Sequence, residues 1–187
     1  MIKTPLALFF TLLLILNLSA PVSANIFNPK ASIEIDAPVT PTITADSSSY
    51  NENSGRYTLI GNVKIKLDNL TITAPTAKIS NNLRVWTESN TTLSRGELIF
   101  ASDALYAELL GGNAWFFGSR CSLTRPGLAI HSDTMNYNWN TNIVTFDGHV
   151  YCVQRGRNTT ASHLEFDLAR NEIVASTNIC NKYKNSL

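Results

Sequence analysis

Two stretches of 21 residues, Ile43–Val63 and Ile130–Val150, align without a gap and share eight residues. Ile43, Asp46, Tyr50, Asn51, Asn53, Thr58, Gly61 and Val63 fall opposite Ile130, Asp133, Tyr137, Asn138, Asn140, Thr145, Gly148 and Val150. The matched types form strands and turns, so the feature restricts the chain to a repeated β array. Near-equivalent sites recur at Ala45-Asp46, Ala74-Pro75, Ser102-Asp103, Ser132-Asp133 and Ala161-Ser162, in steps of 29, 28, 30 and 29 residues. Each unit has an Asn/Gly turn cluster at its middle, as at Asn53-Ser54-Gly55 or Gly111-Gly112-Asn113, and a Gly or Asn before its next strand: Gly61, Asn90, Gly118, Gly148 and Asn178. About five units of ~29 residues therefore fill Ile43 to Lys182.

Between the turns the residues alternate with period two, the mark of half-buried strands. Tyr57, Leu59, Val63, Ile65 and Leu67 alternate with Thr58, Asn62, Lys64 and Lys66, and Val144, Phe146, Val150 and Cys152 repeat the pattern. Ser102 to Leu110 has the composition of a helix, but its place in the repeat predicts a strand. The expectation is an all-β domain of about ten strands, folded over to hide its apolar face, with bends at the Asp and Pro sites.

The ends read differently. Lys3, the apolar run Leu6 to Leu18 and the small residues Val22-Ser23-Ala24 predict a signal peptide at 1–24, cut after Ala24 and directing export across a membrane. The run is short for a membrane span, though retention as an anchor is the alternative. Residues 25–41 form a proline-bearing linker with one strand-like alternation, Ile33-Glu34-Ile35; 42–182 is the β domain and 183–187 a tail. Without Lys3 the exported chain has 14 basic and 14 acidic residues, so charge gives no case for a nucleic-acid partner.

Cys121, Cys152 and Cys180 are an odd number for an oxidising compartment. Cys152–Cys180 is the favoured pairing, against buried free thiols as the alternative. Their spacing matches no zinc motif, and His131, His149 and His163 come with no nucleophile or ligand pattern, which predicts neither metal, cofactor nor catalytic site. His131 and Asp133 share i, i+2 spacing near His149. A polysaccharide-cleaving repeat enzyme is disfavoured, because Asp46, Asp103 and Asp133 hold one repeat position and so read as folding residues.

The run Ile43-Thr44-Ala45-Asp46, then Tyr50, Gly61-Asn62-Val63 and Ile72-Thr73-Ala74, with Asp133, Tyr137 and Gly148-His149-Val150, resembles the OstA-like family. That family comprises the periplasmic domains of lipopolysaccharide transport, among them LptA, LptC and the N-terminal part of LptD. The likeness covers about Ile33 to Lys182 and is strongest to the soluble member, LptA. Departures are Pro75 where an acidic residue is usual, Asn90 for Gly, and Arg120 where an apolar residue is expected.

The resemblance implies a twisted β-jelly-roll, non-enzymatic and periplasmic, whose apolar groove carries the lipid A acyl chains of lipopolysaccharide from inner to outer membrane. It implies LptC-like and LptD-like partners joined by edge-strand pairing, and head-to-tail homo-oligomers. The inward candidates for the groove are Leu59, Val63, Ile65, Ile72, Phe116, Ile130, Val144, Phe146, Val150 and Phe166. Arg120, Arg125, Arg155 and Arg157 are candidates for lipid phosphates or simply solvated turn residues. Trp115 and Phe117 should share the outer face. The alternatives are an edge-pairing scaffold with a sealed interior, or an LptC-like membrane-anchored member of the same system.

Overall fold

The structure, a computed structural model, describes residues 40–119 and 121–183. The signal peptide, the strand-like alternation at Ile33–Ile35, Arg120 and residues 184–187 lie outside the described residues. Six strands are long: β3 Arg56–Leu67, β4 Leu70–Ser80, β5 Arg84–Arg95, β6 Leu98–Glu108, β11 Ile143–Gln154 and β12 Arg157–Asp167. Eight are short: β1 Thr42–Thr44, β2 Ser47–Asn51, β7 Asn113–Phe117, β8 Cys121–Arg125, β9 Leu128–Ser132, β10 Thr134–Asn138, β13 Glu172–Thr177 and β14 Cys180–Tyr183. The segment with helical composition is β6, because its pairing on both sides outweighs local propensity.

All neighbouring pairs are antiparallel, and they resolve into two half-sheets that share the long strands. The first half-sheet runs β2-β3-β4-β5-β6-β7-β10-β11-β12-β13. The second runs β1-β3-β4-β5-β6-β8-β9-β11-β12-β14. Each long strand begins in one half-sheet and ends in the other. The short strands are the same lanes broken at the fold line, so about ten strands become ten lanes.

The fold line is written in the repeat residues. Register shifts interrupt the ladders between Ile60 and Val63, Thr73 and Thr76, Glu88 and Thr91, and Asp147 and Val150. On one set of lanes the bend is left-handed: Gly61 and Asn62 have φ of 77° and 47°, and Gly148 and His149 have 72° and 42°. On the lanes between, an Asp or its substitute folds over that bend. Asp46 N donates to Gly61 O at 2.9 Å and Asp133 N to Gly148 O at 3.0 Å. The Asp46 carboxylate accepts from Asn62 Nδ2 at 2.9 Å, that of Asp103 from Ser119 N at 2.9 Å, and Asp133 contacts His149 Nδ1 at 2.8 Å. A side chain on Gly61 or Gly148 would meet the facing Asp, so glycine is required there by space as well as by φ.

The departures from the repeat obey the same geometry. Pro75 sits where the ladder is already broken, so its missing N–H costs no strand pairing, and Ser89 and Asn90 supply the left-handed turn opposite it at φ 64° and 45°. Hydroxyls satisfy polar groups released at the fold line: Ser102 Oγ donates to Ala104 O and Ser132 Oγ to Thr134 O, both at 2.8 Å. Thr87 and Thr91 share a buried hydrogen bond of 2.7 Å across the β5 bend.

Folding along this line lays the two half-sheets face to face around one core. Phe100, from the second half-sheet, stacks on Tyr137 and Phe116 of the first at centroid distances of 4.6 and 5.5 Å. Each such aromatic pair adds about 0.5–1.5 kcal/mol beyond its buried area. No ladder among the described residues joins β1/β2 to β13/β14, so both outer edges stay open.

Candidate functional site

The interior between the half-sheets is the candidate site. All ten residues expected to line it are buried there: Leu59, Val63, Ile65 and Ile72 from β3 and β4, Phe116 and Ile130 from β7 and β9, Val144, Phe146 and Val150 from β11, and Phe166 from β12. None is more than 4% exposed, so the side chains fill the space they line. At these ten residues the half-sheets lie closed on each other.

The fold line closes the interior on one side. The opposite margin, where the hairpin turns of both half-sheets meet, is closed by polar side chains. Arg95, the last residue of β5, donates from Nη1 to the Tyr137 hydroxyl at 2.7 Å, to Asn142 Oδ1 at 3.1 Å and to Trp139 O at 3.2 Å. Its Nε donates to Asn69 Oδ1 at 3.3 Å. Arg125, the last residue of β8, donates from Nη1 to Leu168 O at 3.1 Å and from Nη2 to Asn171 Oδ1, with its guanidinium 5.9 Å from the Phe166 ring centroid. Gln154, which ends β11, donates from Nε2 to Asn171 O at 2.8 Å. A cavity of about 260 Å³ opens at this margin, lined by Arg95 and Arg125 with Asn69, Leu98, Asn142 and Leu168 among others. Burial pushes the Tyr137 phenol above its ordinary value, outweighing the downward pull of Arg95.

Of the arginines singled out in the sequence, Arg125 thus reaches the margin, and Arg155 lies in an exposed turn. Arg157 is exposed at the start of β12. Arg95 escaped sequence reading because Arg-Gly looks like an ordinary turn. The available signal was its equivalence to Arg125, both preceding a two-residue turn and then Leu, as Leu98 and Leu128.

The Cys152–Cys180 pairing is not formed, and all three cysteines are free. Cys152 pairs with Thr159 and Cys180 with Thr160, so β12 separates them and adjacent residues of β12 set them on opposite sheet faces. Strands two apart are roughly 10 Å distant, beyond disulfide reach. Burial pushes the Cys121 and Cys152 thiols up to about 11, with Asp103 and Asp133 adding to the effect at Cys121. Cys180 is exposed.

Trp115 and Phe117 do share the outer face. Phe117 is exposed, while Trp115 stacks on Tyr106 at 5.4 Å, Tyr106 lies 5.3 Å from Trp86, and Arg56 covers Trp86 at 4.7 Å. His149 meets Asp133, whereas His131 is exposed on β9. His163 contacts Asp147 at 2.6 Å, which raises its pKa, and burial opposes the rise.

A folded-over antiparallel sheet with an apolar interior and two open edges defines an all-β jelly-roll. Residues 42–114, from β1 into β7, match the family model described as LptA/(LptD N-terminal domain) LPS transport protein. Over those residues the family model agrees with the resemblance read from the repeats. Among solved structures the chain is similar to LptH of Pseudomonas aeruginosa, described as the LptA-homologous periplasmic component of the conserved lipopolysaccharide transport device. Identity is 14%, the match covers 78% of this chain and 96% of LptH, and the TM-score is 0.36. No curated protein matches the chain.

Proposed function

We propose that this chain is a non-enzymatic periplasmic carrier of lipopolysaccharide, which takes lipid A acyl chains between its half-sheets and passes them from inner to outer membrane. The family of residues 42–114 supports transport of this class. The observation that carries the reading is the continuous apolar face, from Leu59 and Val63 through Phe116 to Phe146 and Phe166, bounded by a margin that side-chain hydrogen bonds hold together. Acyl chains enter when that margin parts and they replace the contacts the half-sheets make with each other. The open edges at β1/β2 and β13/β14 suit strand addition by LptC-like and LptD-like partners or by further copies of the chain. Residues 1–24 supply export, cut after Ala24.

The test is photocrosslinking. A benzophenone side chain replacing Phe116 should label lipid A, and the same group replacing Trp115 one residue away on the outer face should not. Equal labelling at both positions, or none in folded protein, rejects the reading.

The close packing of all ten interior residues favours a second reading, an edge-pairing scaffold with a sealed interior. It predicts concentration-dependent head-to-tail oligomers with no lipid label at Phe116.

A further inference from the structure

The margin opposite the fold line carries more charge than closure requires. Gln154, Arg125 and Arg95 each end a strand of the second half-sheet and each reach across to the first. Gln154 does so with a neutral amide. Arg95 and Arg125 do it with cations whose acceptors are all neutral: a phenol, two asparagine oxygens and two carbonyls across the margin, with Asn69 beside them. Among the described residues neither has an ion pair with a carboxylate. Asp167, beside this margin in sequence, is held instead by the Ala169 and Arg170 amides at 2.9 and 3.0 Å and faces Arg170 Nε at 3.7 Å. Two half-buried guanidinium groups therefore line one cavity with their charge uncompensated. Two cations of one sign at one cavity concentrate positive potential there and favour an anion.

We propose that this cavity is a phosphate-binding site, and that a phosphate monoester there unlatches the margin. The proposal rests on the carrier reading for its lipid source and on the two arginines for its chemistry. Guanidinium forks fit phosphate oxygens two at a time, and the charge-assisted bonds are roughly twice as strong as those to neutral acceptors. A phosphate seated between Arg95 and Arg125 takes over the donors now given to Asn142, Trp139 O, Leu168 O and Asn171. The bonds it displaces are four of those that join the half-sheets, leaving Arg95–Tyr137 and Gln154–Asn171 to hold the rest. A cavity of about 260 Å³ admits the anion and some water but not the acyl chains. The headgroup is thus read at the closed margin before the chains enter.

Three probes test this on the full exported chain: diphosphorylated lipid A, the same lipid dephosphorylated, and inorganic pyrophosphate. In R95Q/R125Q the affinity for diphosphorylated lipid A should fall at least tenfold while that for the dephosphorylated lipid stays within twofold or tightens. N142A/N171A keeps both cations and removes two neutral acceptors, so it should bind the phosphorylated lipid more tightly. Pyrophosphate binding that R95Q/R125Q abolishes shows a site for phosphate itself, and binding of the lipid alone shows that the acyl chains must anchor the headgroup. An unchanged ratio between the two lipids in R95Q/R125Q, or weaker phosphorylated-lipid binding in N142A/N171A, overturns the proposal. If the wild type binds neither lipid the carrier reading fails, and the phosphate site then stands only if wild type binds pyrophosphate and R95Q/R125Q does not.

Discussion

Replacing Gly148 by alanine tests whether the fold line is held by the Asp–Gly pairing. The residue has φ of +72°, which costs an L residue about 1–2 kcal/mol. An added Cβ would also lie 2.9 Å from Asp133 Cγ and closer still to its Oδ2, so the carboxylate must move and loosen its 2.8 Å contact with His149. That displacement adds roughly 1–2 kcal/mol, taken as the range for a disturbed tight contact. The control is Gly156, in the β11–β12 turn, with φ of +80° and open space for 4 Å around the point where a Cβ would stand. Urea unfolding followed by circular dichroism should give G148A a loss of about 3 kcal/mol and G156A about half of it. In a D133A background the cost of G148A should shrink to that of G156A, a coupling of at least ~1 kcal/mol. If G148A costs the same with and without the Asp133 carboxylate, the aspartate does not hold the bend.

Other perturbations reach different parts of the molecule. F116A removes a fully buried ring at one end of the aromatic stack, against Phe100, and should cost about 3–5 kcal/mol by urea unfolding. A thiol reagent at pH 8 should titrate Cys180 alone in the native protein and all three cysteines in denaturant, because the Cys121 and Cys152 thiols are buried with values of about 11. His163 has its pKa raised by Asp147, so its contribution is full below the unfolded value of about 6.5 and is lost as pH rises through the folded one. The melting temperature of wild type should accordingly exceed that of D147N most at pH 5.5, with the gap narrowing towards pH 8.5.

The architecture was readable because its signals are local or repeat. Alternation in β3 and β11 fixed which residues face inward, and the Asp and Gly positions marked the fold line before their partners were known. Their pairing itself was hidden, since Asp46 meets Asn62 and Asp133 meets His149 from 16 residues away. The cysteine pairing failed because sequence placed Cys152 and Cys180 near repeat glycines, whereas intervening strand and sheet face decide reach. Arg95 stayed invisible for a related reason: its acceptors at Tyr137, Trp139 and Asn142 are 42–47 residues downstream. Whether the interior is empty or filled is likewise a matter of how tightly the two half-sheets close, which alternation alone does not encode.

The open margins at β1/β2 and β13/β14 have a further consequence. A closed barrel fixes its strand number, because diameter and stagger must agree for the last strand to meet the first. Here no such condition applies, and the fold-line pairs share one geometry even where their residues differ, as Asn62 with Asp46 and Asn178 with Ser162. The chain therefore behaves as a ruler: ten lanes at ~4.8 Å give an interior roughly 45 Å long, and each added or deleted unit of two lanes changes that length by about 10 Å without altering its cross-section.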